Sequence, residues 1–236
     1  MLEPRTETAA VDAARRRAEA VTRVVVRPIG SPVGLGLFGL AAGTLVMSGL
    51  QLGWVDAAEG RKVGLILLAF PFVAQVLASI WSTLARDGVA ATAMGVLALT
   101  WLSTGLVLVV SNPGETSDAL GMLLLSSAVA MALTSIVTAT SKLVLGAVFI
   151  TAATRFALGG IHQLSGNETW EDAAGLVGLV LFALAVYAAF AAELEDAKGE
   201  TVLPLGRRMK GRLALDGSLD EQLKHAPNEP GVRAQL

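Results

Sequence analysis

Six runs of about twenty residues, almost without charge and separated by short polar breaks, set the plan of this chain. The pattern predicts membrane-spanning helices over residues 32–54, 63–85, 89–111, 118–138, 143–164 and 173–193. Each is close to the ~20 residues that a ~30 Å hydrocarbon core requires. The breaks carry turn chemistry: Arg86-Asp87-Gly88, Asn112-Pro113-Gly114-Glu115-Thr116 and the polar stretch Ser165–Asp172. None is long enough for a soluble domain, so any function of the membrane part resides within the helices. The fold class is all-α, with six transmembrane helices per subunit.

Composition agrees with this plan. The 236 residues are 53% hydrophobic and only 16% charged, with mean hydropathy +0.62, whereas soluble domains carry about 25% charged residues. No cysteine is present, which excludes disulfides and thiolate chemistry. Two histidines, one of them in the tail, do not make a metal site. No cofactor, metal or nucleic-acid partner is expected, and no paired carboxylates, Ser/His/Asp set or phosphate loop points to an enzyme.

Charge position defines three regions: a basic arm over 1–27, a transmembrane domain over 28–208 and a polar tail over 209–236, expected to be mobile. Residues 6–26 of the arm could form a helix, with Arg15, Arg16 and Arg17 on one side. Lysines and arginines number 6 in the arm, 1 in each of the second and fourth loops and 7 in the tail, against 2 in the first loop. The positive-inside rule then places both termini in the cytoplasm and the protein in the cell membrane, surrounded by lipid.

The first span is rich in glycine. Gly34-x-Gly36-x-x-Gly39 has the form of a dinucleotide fingerprint, but no strand precedes it and it lies inside an apolar span. Small residues at helical spacing instead allow close helix approach, alone or together with lining a narrow path. Pro71 predicts a kink near Ala69–Phe70. Gln75, one turn on, either bonds a freed carbonyl or faces a solute. Hydroxyls recur in the third, fourth and fifth spans, Thr100, Ser103 and Thr151 among them. Each can bond its own i−4 carbonyl, but their number suggests polar inner faces. Arg155, midway along the fifth span, is costly there; it either pairs with an acid, contacts backbone carbonyls or attracts an anion. His162 lies seven residues on and suits a boundary hydrogen bond or a proton relay. Asn167-Glu168-Thr169 matches a glycosylation sequon and is read as chance.

The stretch Ser31-Pro32-Val33-Gly34-Leu35-Gly36-Leu37-Phe38-Gly39 resembles the Asn-Pro-x-Pro-Leu-Gly-Leu-x-Gly signature of the acetate uptake transporter family, with Pro32, Gly36, Leu37 and Gly39 as its matching positions. Tyr187-Ala188, Glu193 and Gly199–Gly206 resemble that family's closing segment, and Ala74-Gln75 and Trp101 fall at similar spacing. The resemblance covers about residues 28–208. It implies a six-helix subunit, assembly into a hexamer, and a narrow path in each subunit for acetate and related small monocarboxylates, with succinate a further candidate. The family's path is narrowed by a Phe, a Tyr and a Leu, and the matching positions here are Leu40, Leu97 and Ala152. Both aromatic rings are lost. Ser31 and Gly34 also depart from the signature, and Arg155 stands where the family has an apolar residue.

The expectation is therefore a channel or transporter, passive or proton-linked. Ser31, Gln75, Thr100, Ser103 and Thr151 would replace hydration beside the dry narrowing of Leu40, Leu97 and Ala152. The alternatives are a transporter of a different small solute and a membrane sensor or scaffold acting through its tail.

Overall fold

The computed structural model describes residues 12–14, 16, 30–209 and 212. The expectations for the basic arm and for the tail beyond 209 lie almost wholly outside the described residues.

Among the described residues, seven α-helices make six spans. Helix α1 covers Val33–Gln51; the second span is broken into α2, Gly60–Ala69, and α3, Pro71–Leu84. Helices α4 (Gly88–Val110), α5 (Asp118–Ala139), α6 (Leu143–Ser165) and α7 (Glu168–Lys198) follow. All six spans are long and apolar enough to cross a membrane.

Local chemistry accounts for the breaks. Phe70 stands between α2 and α3 with φ −116° and ψ −71°, and Pro71 opens α3 at a position where a missing N–H costs nothing. The Asp87 side chain caps α4 at Ala90 N, and Ser117 caps α5 at Leu120 N. Gly166 ends α6 at φ +66°, the left-handed geometry that glycine adopts freely.

The last helix departs from expectation at its start and ends, as expected, in the charged stretch after the apolar run. It begins at Glu168, inside the stretch read as a loop, because the Asn167 side chain accepts from Thr169 N and acids fill the first turn. It runs on to Lys198, five residues beyond the apolar run, with Glu195 buried within it. The sequon asparagine is thus a helix cap.

The spans form a closed ring. Each packs on its neighbours in sequence, and α1 closes against α7. The glycines of α1 set the spacing to the second and third spans. A Cβ on Gly39 would stand 2.8 Å from Ala74 Cβ, and one on Gly43 would stand 2.8 Å from Pro71 Cβ and 3.2 Å from the Trp101 ring. These glycines serve close packing against α3 and α4. At Gly34, where the signature has its second proline, the missing side chain leaves room for the Glu193 carboxylate against the first turn of α1. A negative charge is favourable there.

Candidate functional site

Leu40, Leu97 and Ala152 come from α1, α4 and α6, the first, third and fifth spans. All three helices start at the end of the ring that carries Gly30 and Met209. Leu40 is 7 residues into its helix and the other two are 9 into theirs, which at 1.5 Å per residue puts all three at one level, ~10–14 Å in. All three are 0% exposed and belong to one continuous apolar cluster with Leu67, Met131 and Leu181 from the remaining spans. The three side chains thus sit in the packed apolar interior of the ring.

The polar residues named from sequence divide into two groups. Gln75 and Thr100 lie inside. Gln75 Nε2 donates to Gly36 O at 3.2 Å, while its Oε1 has no partner among the described residues. Thr100 Oγ1 donates to Val96 O at 2.8 Å and lies 3.0 Å from Ser127 Oγ. Ser31 is exposed. Ser103 and Thr151 are half-buried and bond their own i−4 carbonyls, Leu99 O at 2.9 Å and Ala147 O at 2.8 Å. That is the self-satisfied state of a hydroxyl in a membrane helix. Of the signature residues, Pro32, Gly36, Leu37 and Gly39 are all buried.

Beyond the level of Leu40, Leu97 and Ala152, toward the opposite end of the ring, lies a partly open cavity of about 40 Å³. Its polar walls are Gln51, Thr104, Arg155, His162, Gln163 and Glu171, and its apolar walls include Met47, Leu124 and Phe156. Arg155 is 5% exposed. It donates from Nη2 to Gln51 Oε1 at 2.8 Å, and its guanidinium carbon sits 5.7 Å from the Trp101 ring centroid. Guanidinium over an aromatic face is a favourable pairing, stronger when desolvated. No acid pairs with it among the described residues. The carboxylate in the same cavity, Glu171, stands 3.6 Å from His162 Nε2. His162 Nδ1 lies 3.1 Å from Asn167 O, an acceptor, so that nitrogen carries the proton. The pair links the end of α6 to the start of α7.

Sequence reasoning singled out Arg155 and His162, and Thr104 among the recurring hydroxyls, but not Gln51 or Glu171. Gln51 and Glu171 sit at span ends, where polar residues are ordinary. Only the closing of α1 and α7 onto α6 brings them to the arginine.

The spans thus form a closed ring with an apolar interior and a small cavity that has polar walls. Residues 16–205 match the GPR1/FUN34/yaaH family, and the chain belongs to it. This bears out the resemblance to the acetate uptake transporters. The chain is also similar to a solved structure described as the bacterial acetate channel SatP. The identity is 25% and the TM-score 0.68, over 75% of this chain and 99% of that one. No curated protein matches the chain. The family and this structural neighbour are channels and transporters, not enzymes.

Proposed function

We propose that the chain conducts acetate and related small monocarboxylates across the cell membrane, through a path enclosed within each subunit. The observation that carries this reading is the level formed by Leu40, Leu97 and Ala152. Three alternate spans bring aliphatic side chains to one depth inside a closed ring, with a polar cavity directly beyond. Such a dry level resists hydrated ions and passes a solute that sheds its water or carries a proton. Gln75 and Thr100 offer the polar contacts that replace hydration nearby. Arg155, in the cavity, attracts an anion.

Both termini face the cytoplasm in this reading, so the cavity opens outward. The loss of both aromatic rings from the narrowing favours monocarboxylates somewhat larger than acetate, and the subunit works within a hexamer. No acid lies at the narrowing, so proton linkage would run through the protonated solute or His162.

Reconstitution into liposomes tests the function directly. Entry of labelled acetate above that of empty liposomes, competed by C1–C4 carboxylates, is the expected result. Entry equal to that of empty liposomes for the whole series would refute it. Loss of flux without a pH gradient, and in His162→Ala, would assign proton linkage and overturn the passive form. Removing residues 209–236 should leave flux unchanged; abolished flux would favour a role for the tail.

A further inference from the structure

Six buried side-chain atoms lack a hydrogen-bond partner among the described residues. Two of them, Arg155 Nε and Trp101 Nε1, belong to residues that line the cavity, and a third, Ser48 Oγ, lies beside Arg155. Ser48 and Arg155 meet over Gly178 of α7, where a Cβ would collide with Ser48 Oγ and stand 2.8 Å from Arg155 Nε. Trp101 lies under the guanidinium. Buried polar groups are normally satisfied, and an orphan costs the desolvation of that group. A buried cation with an unmet donor, on the wall of a cavity inside a membrane span, points to a ligand.

The chemistry of that ligand follows from the donors. A guanidinium presents five N–H groups and no acceptor. Arg155 gives one to Gln51, and its charge has no acid partner among the described residues. The complement is an anion with two oxygens in a plane, which guanidinium binds in a fork. Size follows from the cavity. One water needs roughly 10–15 Å³, so 40 Å³ admits about three or four water-sized groups. That matches a carboxylate with one or two carbons attached, and Met47, Leu124 and Phe156 are there to receive the alkyl end.

We infer that the cavity is a binding station for one ionised short-chain monocarboxylate, held by Arg155 directly beyond the aliphatic level and too small for a four-carbon dicarboxylate. Arg155 is 12 residues into α6 and Ala152 is 9, so the station lies about one helical turn from the narrowing. The solute would wait there in its charged form before dehydration. This rests on the carboxylate-conducting reading above and specifies how the solute is taken up.

Binding can be measured without transport, from the shift in thermal unfolding of the detergent-solubilised protein on titration with sodium acetate against sodium chloride at equal ionic strength. Wild type should be stabilised by acetate and propionate but not by succinate or chloride. The informative variant is Gln51→Glu, which puts a carboxylate of the protein itself at the guanidinium and so should not impair folding. It should bind acetate at least tenfold more weakly; Arg155→Leu should bind none, and Arg155→Lys should retain part. Acetate binding by Gln51→Glu equal to wild type, or an equal response to chloride, would overturn the station. If wild type passes acetate in liposomes but shows no Arg155-dependent binding, the station falls and the transport reading stands. If binding depends on Arg155 but acetate does not cross, the transport reading falls alone.

Discussion

Glu195, buried near the end of α7, receives the Arg207 guanidinium on both carboxylate oxygens, with Nε 3.0 Å from Oε2 and Nη2 on Oε1. Arg207 lies nine residues beyond the helix, so this pair folds the following segment back beneath the ring. Leu143 N and Val144 N then donate to Gly206 O and Leu205 O at 3.1 and 3.3 Å, and Arg208 N donates to Ser141 O at 2.8 Å. Tyr187 Oη adds a bond to Pro204 O at 3.0 Å. The residues that resemble the family's closing segment thus strap the start of α6 to the end of α7.

Removing one partner of a buried ion pair leaves the other charge desolvated. Glu195→Gln should cost on the order of 3 kcal/mol. The strap should loosen with it, so trypsin should cut at Arg207 and Arg208 faster than in wild type. Thermal unfolding in detergent and the cleavage rate check this together; no change in either would show the strap to be held by its backbone bonds alone.

The second and third spans touch through glycine backbone. A Cβ on Gly64 would stand 2.7 Å from Gly105 O, and one on Gly105 would stand 2.8 Å from Gly64 O. Neither obstacle is a side chain that can rotate away. Gly64→Ala or Gly105→Ala should each destabilise by about 1–3 kcal/mol. Gly88→Ala, at a glycine whose Cβ would meet nothing within 4 Å, is the control. Unfolding midpoints that do not separate these variants would contradict the packing.

Leu97 is wholly buried at the proposed narrowing, so its size should set the barrier. Leu97→Tyr should slow butyrate more than acetate, and Leu97→Ala should speed both, by roughly tenfold if the barrier changes by ~1.4 kcal/mol. Liposome flux across the C1–C4 series gives the answer. An unchanged profile in both variants would move the narrowing elsewhere.

Gln75 separates stability from passage. Its Oε1 is buried without a partner among the described residues, and Gly36 O, which it bonds, also lies in the backbone ladder of α1. Gln75→Leu should therefore leave unfolding within about 1 kcal/mol of wild type, since it removes an orphan along with a bond. If Gln75 contacts the solute, acetate flux should fall in the same variant. Lower stability with full flux would make it a structural residue only.

Hydropathy and turn chemistry alone determine the six spans, because each span must satisfy its backbone internally and match the hydrocarbon thickness. Pro71 marks the break in the second span for an equally local reason. The start of α7 and the burial of Glu195 near its end were not legible. Asn167 caps the helix through its own side chain, and Glu195 is tolerated past the apolar run because Arg207 returns to meet it.

Arg155 was conspicuous in the sequence because a charge is rare in such a span, but its surroundings were not. Gln51 is 104 residues away in the chain, and Trp101 is on another helix. What only the tertiary structure decided is that closing the ring, α1 on α7, brings Gln51, Trp101, Ser48 and Gly178 around the guanidinium and leaves no acid for it among the described residues. Helical periodicity assigns a residue to a face of its own helix; which faces meet depends on glycine contacts between distant spans, and those are read only after the helices have packed.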